Sequence, residues 1–342
     1  MEKIRIIEPG LFTSIQDRGR WGYQKFGISV AGTIDDFATR VANILVRNDE
    51  YGAVLECTFS GPKIAFSCDE VISITGADMN PKINGESIPM WTSILVKDGD
   101  ILSFSGVVSG LRSYIAFSRG LNVPEIMGSK STFTRGVLGG HKGRKLASGD
   151  EIKLGTRDLS KLGSYLSSEF IPIYKSEKTI RVIMGPQDDY FTDEAIRTFL
   201  GSKYTITHES DRMGYRLDGP KITHKNGADI ISDGIVFGSI QVPGHGAPII
   251  MMADRATTGG YTKIATVITP DLSILAQMGP GSSMNFHAIS LEEAHGIYKE
   301  YEDKFKNIKD IINNNRFEFG SVRKLNLKIN GTRYSVQVRE IK

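Results

Sequence analysis

Val71-Ile72-Ser73-Ile74-Thr75, Ile101-Leu102-Ser103-Phe104 and Ser113-Tyr114-Ile115-Ala116-Phe117 follow one another through the first half of the chain, each run ending near a glycine. Short runs of β-branched and aromatic residues with such punctuation read as strands, because those side chains fit a pleated surface and the breaks leave no room for helical turns. Between them, Asn84-Gly85 and Lys97-Asp98-Gly99-Asp100 supply residues that tolerate positive φ, the chemistry of tight hairpin turns. Further out the pattern repeats in Thr179-Ile180-Arg181-Val182-Ile183-Met184 and Pro248-Ile249-Ile250-Met251-Met252, and the alternating Met1-Glu2-Lys3-Ile4-Arg5 reads as an opening strand. With 37 glycines in 342 residues, above the usual share of about 7%, the expected class is mostly β with a few helices.

Helix signals are few and local. From Asp35 onward, Phe37, Val41, Ile44 and Leu45 share one helical face. Thr192 ahead of Asp193 and Glu194 reads as an N-cap. Ser290 with Glu293 has capping-box spacing and opens a stripe through Ala294, Ile297, Tyr298, Tyr301, Phe305, Ile308 and Ile312. Leu325 to Ile329, Asn330-Gly331 and Tyr334 to Val338 read as a closing hairpin. The stretch 156–178, with seven serines, threonines or glycines, is the expected connector, dividing the chain into 1–165 and 166–342. Asp17-Arg18-Gly19-Arg20-Trp21-Gly22-Tyr23 and Asp211-Arg212-Met213-Gly214-Tyr215 echo each other, and two tandem barrels would account for both the length and the strand density.

The 42 basic and 39 acidic side chains leave a formal charge of +3, with 24% charged and 40% apolar residues, which disfavours disorder and a nucleic-acid-coating role. No run of about 18 apolar residues exists to span a membrane. The N-terminus lacks a basic then apolar signal pattern, so the expected location is the cytoplasm. Cys57 and Cys68 have neither a second thiol pair nor flanking histidines, and both are expected to be buried free thiols.

Sharp catalytic motifs are absent. In Gly128-Ser129-Lys130-Ser131-Thr132 a serine separates glycine from lysine, so no P-loop is formed, and the six histidines are dispersed without metal-ligand spacing. Four glycine-rich polar loops remain. In Gln16-Asp17-Arg18-Gly19-Arg20 the arginines can grip a carboxylate or phosphate, or Asp17 and Arg18 can simply pair and fix the loop. Gly139-Gly140-His141-Lys142-Gly143-Arg144 reads as an anion nest or a solvated basic turn. Ser210 to Leu217 again sets Arg212 beside Asp211 and a glycine. The densest loop pair runs from Gly238 to Tyr261. There Gln241, Asp254, Thr257, Thr258 and the Gly259-Gly260 amides can together bind an amide or urea-like group, with tight barrel turns as the alternative.

These motifs in this order, with Gly32-Thr33-Ile34-Asp35, Ala42-Asn43-Ile44-Leu45-Val46, Leu55-Glu56, Gly149-Asp150, Gln241-Val242-Pro243 and Thr257-Thr258-Gly259-Gly260-Tyr261, resemble the biotin-dependent carboxyltransferase family, also called allophanate hydrolase subunit 2. The likeness runs from about residue 3 to residue 294. Within the family the chain is most similar to free-standing chains of the kind that form the C component of bacterial 5-oxoprolinase, also described as antagonists of a sporulation-kinase inhibitor. The resemblance implies two tandem cyclophilin-like β-barrels. It also implies two 5-oxoprolinase partners: a B component of allophanate hydrolase subunit 1 type and an A component of LamB/YcsF type. The implied activity is cleavage of 5-oxoproline to L-glutamate with ATP and Mg²⁺, in which phosphorylation of the lactam oxygen would turn a poor electrophile into a reactive one.

Carried onto this chain, the resemblance implies Asp35, Arg212 and Asp254 as catalytic residues. Gln16, Asp17, Arg18, Arg20, Gln241, Thr257, Thr258, Gly259, Gly260 and Tyr261 would bind substrate, and Ser129, Lys130, Ser131, Gly140 and Arg144 would bind phosphate or another anion; no metal-ligand set is assigned. Arg47, Lys130, Gly244 and Ala256 depart from the family pattern, and Ala256 removes a glutamine amide from the site. The alternative within the family is a biotin-dependent carboxyltransferase acting on a urea-like or amide acceptor. The hairpin Ile329 to Tyr334 is similar to the opening strands of biotin carriers, but no Met-Lys dipeptide occurs, so biotin would arrive on another protein. A third reading, from another class, is a regulatory module that binds a kinase inhibitor. The concentration of Asp, Arg, Gln and Thr in glycine loops favours an enzyme over such an adhesive surface.

Overall fold

The strand runs that decide the class pair as expected. In the computed structural model, which describes residues 2–156, 159, 163–317, 319–329 and 332–341, Glu70–Asp78 lies between Ser109–Phe117 and Ser93–Val96, and Val54–Thr58 and Phe12–Gln16 complete a five-stranded sheet. A six-stranded sheet faces it, ordered Glu151–Lys153, Lys3–Glu8, Lys63–Phe66, Ile101–Phe104, Pro81–Ile83 and Glu86–Ser87. The two enclose one core in which Ile4, Ile6, Ile15, Leu55, Ile72, Ile74, Leu102, Ile115 and Phe117 meet. Successive side chains of a strand point to opposite faces. Ile72 and Ile74 therefore enter this core while Val71 enters a second one behind the sheet.

The second half forms a closed seven-stranded barrel. Its order is Glu177–Met184, Lys263–Val267, Ser239–Gln241, Ile249–Met251, Gly214–Asp218, Lys203–Ile206 and Ser283–Ala288, and the last strand returns parallel to the first. Ile180, Val182, Tyr204, Ile240, Ile250, Met284 and Phe286 fill it. The mostly-β expectation and the barrel architecture hold. The continuous ring of strand pairs is in the second half, whereas the first half wraps its core as two facing sheets.

Four helices are found among the described residues. Helix α1 (Asp36–Leu45) starts where Asp35 accepts the Ala38 amide at 3.0 Å, and α2 (Asp193–Gly201) starts where Thr192 accepts that of Ala195 at 3.1 Å. Helix α3 (Thr269–Ala276) carries Pro270 in its first turn, and α4 (Leu291–Asn314) opens with the Ser290–Glu293 capping box. Helix α1 lies on the back of the five-stranded sheet and touches α3 and α4. Phe37, Val41, Leu45, Val71, Trp91, Phe305, Ile308 and Ile312 form the core there. The stripe on α4 is buried at Ala294, Phe305, Ile308 and Ile312, but Tyr298 is exposed.

Cys57 is buried in its strand, but Cys68 is only half-buried. That corrects the expectation for Cys68, which lies past the end of the Lys63–Phe66 strand where the sheet no longer covers it. The strands Phe319–Ile329 and Thr332–Ile341 pair antiparallel; the Asn330-Gly331 turn, Met1 and part of the connector lie outside the described residues. Among the described residues no helix is long and apolar enough to cross a membrane.

Candidate active site

The two halves meet at a buried charge cluster. Glu56 comes from the inner strand Val54–Thr58 of the five-stranded sheet. Arg212 sits on the turn before Gly214–Asp218, where Asp211 Oδ1 accepts the amides of Met213 (2.7 Å) and Gly214 (3.2 Å) and so shapes the loop. Asp254 follows the strand Ile249–Met251, and its amide donates to the Arg212 carbonyl at 2.8 Å. The Arg212 guanidinium donates through Nε (3.0 Å) and Nη2 (2.9 Å) to the two oxygens of Asp254, through Nη2 to the Gly32 carbonyl (2.7 Å), and through Nη1 to Glu56 Oε1. The other Glu56 oxygen accepts the Ile34 amide (2.9 Å) and the Tyr114 hydroxyl (3.0 Å). Burial opposes the charge on Arg212, but Asp254 and Glu56 outweigh it and hold the guanidinium above its usual value. Burial raises the Asp254 carboxyl despite the pull of Arg212.

Arg212 and Asp254 of this cluster line a cleft of about 220 Å³, with Glu56 behind them. Arg112, Arg135, Thr58, Ser210 and Tyr215 supply further polar surface, and Phe12, Phe59, Leu111 and Met213 the apolar part. Arg112 is buried and donates from Nη1 to the Tyr215 hydroxyl (2.6 Å) and the Ala276 carbonyl (2.7 Å). Its Nε and the Thr58 hydroxyl are buried without a partner. Buried polar atoms are nearly always satisfied in native proteins. Two orphans in the wall of one cleft therefore mark it as a place where a ligand or ordered water completes the bonding.

Residues 26–288 match the carboxyltransferase domain family, subdomains A and B. The chain belongs to that family. Among relatives of this carboxyltransferase-domain chain, the C component of 5-oxoprolinase from Escherichia coli is 34% identical over 307 residues, 89% of this chain and 97% of that protein. The urea amidolyase of Saccharomyces cerevisiae is 35% identical over 318 residues, 88% of this chain but 17% of that one. The crystal structure of the K. lactis urea amidolyase superimposes with a TM-score of 0.84 at 31% identity, over 90% of this chain and 20% of the other.

In this carboxyltransferase-domain chain the residues singled out from sequence fall into four places. Arg212 and Asp254 stand together in the cleft. Asp35 does not join them: it caps α1 and accepts Gln277 Nε2 at 2.7 Å, and burial raises its carboxyl to about 6. Gln277 in turn accepts the amides of Leu111 (3.0 Å) and Arg112 (3.1 Å), so the cap and the cleft share one hydrogen-bond network.

The first loop is locked from within. Asp17 does not pair with Arg18; it accepts the Gly19 amide (2.8 Å), the Ser129 hydroxyl (2.6 Å), the Lys130 amide (2.6 Å) and the Ser131 hydroxyl. The anion-binding reading of Ser129, Lys130 and Ser131 is corrected accordingly, since their donors already surround a carboxylate and Lys130 Nζ donates to the Leu121 carbonyl at 3.0 Å. The Gly140 amide donates to the Lys130 carbonyl (2.9 Å), and Arg144 grips Asp150 with two bonds of 2.7 Å, which helps pull that carboxyl down to about 2. Neither is free to form the nest expected there. Gln16 donates to Ser14 Oγ (2.9 Å) and the Thr132 carbonyl (3.1 Å), leaving its buried Oε1 without a partner. Arg18 is exposed, 4.6 Å over the Tyr51 ring. Arg20 is fully buried and donates from Nη2 to the Ser131 carbonyl, while its Nε and Nη1 lack partners.

The remaining candidates gather on a two-stranded flap at the barrel. Thr258–Tyr261 pairs with Asp229–Gly234, and the Ile235 amide donates to the Thr257 carbonyl at 3.0 Å, so this backbone is engaged in a ladder. Gly259 packs so closely on Gln241 that a Cβ there would lie 2.6 Å from Nε2. The expected convergence of Gln241, Thr257 and Thr258 with Asp254 is not seen, because the Asp254 carboxylate turns to Arg212. Sequence reading assigned no role to Glu56, Arg112, Gln277 or Lys263. The signal at Glu56 is a carboxylate inside the apolar strand Val54-Leu55-Glu56-Cys57-Thr58, a place that requires a buried partner.

Proposed function

We propose that this chain is the C component of a multi-subunit, ATP-dependent 5-oxoprolinase that opens 5-oxoproline to L-glutamate, acting in the cytoplasm with an A component of LamB/YcsF type and a B component of allophanate hydrolase subunit 1 type. The observation that carries the reading is the cleft, where unpartnered Arg112 Nε and Thr58 Oγ1 stand beside Arg135 and the Glu56–Arg212–Asp254 cluster. Its volume of about 220 Å³ is below the roughly 300–1,000 Å³ of drug-sized ligand sites, a scale suited to a small ring acid. Arg112 and Arg135 would hold the substrate carboxylate and Thr58 a ring oxygen or nitrogen. The cluster fixes the wall in one geometry, with its charge set before substrate arrives. Similarity over 89% of this chain and 97% of the Escherichia coli 5-oxoprolinase C component supports the same reading, whereas the urea amidolyase likeness covers a small part of a much longer chain.

Among the described residues no site fits ATP and Mg²⁺. No three His, Cys, Asp or Glu side chains cluster for a metal among the described residues, and the Ser129 to Ser131 donors surround Asp17 and not a phosphate. In this reading both are held by the partner components. The second reading, transfer of a carboxyl group from biotin on another protein to a urea-like acceptor, is favoured by the family match and the likeness to urea amidolyase.

The deciding experiment measures glutamate release from 5-oxoproline, ATP and Mg²⁺ by the reconstituted complex, with and without this chain, and with Arg135→Ala. Arg135 is exposed, so its loss leaves the fold intact. Turnover that requires this chain and drops about tenfold or more in kcat/KM with the variant is expected for a charged substrate contact. Absent turnover together with carboxyl transfer from carboxybiotin to urea would establish the second reading instead. If neither reaction occurs and a kinase inhibitor is bound, the chain is a regulatory module.

A further inference from the structure

A second cavity, of about 360 Å³, opens between α1, α3, α4 and residues 169–178. Phe37, Phe170 and Ile274 give it apolar walls. Deep inside are Asp35, held by the Ala38 amide and Gln277, and the Tyr174 hydroxyl, which is buried without a hydrogen-bond partner. Three lysines line it: Lys304, whose ammonium lies 5.2 Å from the centre of the Phe37 ring, Lys175 and Lys178. Lys175 and Lys178 form no ion pair among the described residues, whereas Arg181 is tied to Asp271 by Nε (3.1 Å) and Nη2 (2.6 Å). Against these cations stand the carboxyls of Asp35 and Glu169.

We propose that this cavity binds a small amphipathic organic anion, its apolar body against Phe37, Phe170 and Ile274, its anionic head at Lys175 and Lys178, and the Tyr174 hydroxyl as an interior hydrogen-bond partner. Ligand sites are typically apolar hollows with a few placed polar groups, and an orphaned hydroxyl in such a hollow is satisfied once a ligand oxygen or nitrogen reaches it. Three cations against two carboxyls leave the cavity with a surplus positive charge, which selects an anion over a neutral or cationic molecule of the same shape. The head is a carboxylate or a phosphate ester, since lysine binds either as a point charge. None of this depends on what the first cleft binds.

The test is a fluorine NMR titration of the full chain with para-fluorophenylacetate, para-fluorophenyl phosphate and neutral para-fluorobenzyl alcohol. Saturable binding of at least one anion is expected, with the alcohol about tenfold weaker or worse. The tighter anion identifies the head group. Lys178→Glu should weaken the anion about tenfold and Tyr174→Phe several-fold, with the proton spectrum of the folded chain unchanged. Arg135→Ala, in the first cleft, should leave binding intact. Equal affinity for the alcohol, insensitivity to both Lys178→Glu and Tyr174→Phe, loss of binding in Arg135→Ala, or no saturable binding of either anion would each overturn the proposal.

Discussion

Arg212 and Asp35 show two ways a buried charge is tolerated. Arg212 sits between two carboxylates and is fully engaged, so Arg212→Ala leaves Glu56 and Asp254 buried, close together and without their cation. Breaking a buried pair of this kind costs about 3–5 kcal/mol, which urea unfolding of the variant should show directly. Asp35 makes no ion pair among the described residues and is held by hydrogen bonds from the Ala38 amide, Gln277 and Ser273, and its carboxyl rises from 3.8 to about 6 through burial. A raised acid value means that the folded chain binds the proton more tightly than the unfolded chain. The group's favourable contribution is therefore complete below about pH 4 and fades as pH climbs through 6. Between pH 5 and 7 the native chain should lose about 1 kcal/mol through this residue. Asp35→Asn keeps a capping oxygen and should flatten that part of the stability profile. The sequence marks Asp35 as polar beside a helix start, but whether it caps or reacts depends on the α3 end, which brings Gln277 to it from 242 residues away.

Helix starts and turns were legible because their chemistry is local. Thr192 caps α2 and Ser290 with Glu293 caps α4 from within three residues, and Asn84-Gly85 takes the positive φ at both positions that its hairpin needs. Ser290→Ala should cost about 1 kcal/mol, seen as earlier fraying of α4 in hydrogen exchange. The flap was not legible, since nothing near Thr258 announces pairing with Asp229–Gly234. What holds it is Lys263, 2% exposed on its barrel strand, donating to Asp233 Oδ2 and to the Gly234 carbonyl at 3.1 Å. Removing that latch with Lys263→Met should speed amide exchange across 229–234 and 258–261 roughly tenfold while the barrel strands keep their protection.

Across the whole molecule, the strand content could be read from residue type and turn punctuation, but the site could not, because its members come from both halves. Asp17 looked like an arginine partner and is instead a knot for Ser129 and Ser131, more than a hundred residues on. Gln277 ties the halves at their seam, accepting two amides of the first half and donating to the Arg112 carbonyl (2.9 Å) and to Asp35. Gln277→Ala strands these groups and should cost about 2–4 kcal/mol. It should also separate the denaturant transitions of the two halves, monitored by hydrogen exchange of Ser109–Phe117 against Glu177–Met184.

The Glu56–Arg212 bond spans 156 residues, and that span is also an interval of time. At roughly 5–20 residues per second of synthesis, a ribosome needs on the order of 10–30 s after making the glutamate before it delivers the arginine. Through that interval the emerging sheets carry a buried carboxylate that lacks its hydrogen-bonded guanidinium, so they cannot reach their final charge balance until the barrel follows. A pause in translation anywhere between the two codons lengthens the exposure of a half-built seam to chaperones and to neighbouring nascent chains, and makes the rate of elongation a determinant of yield.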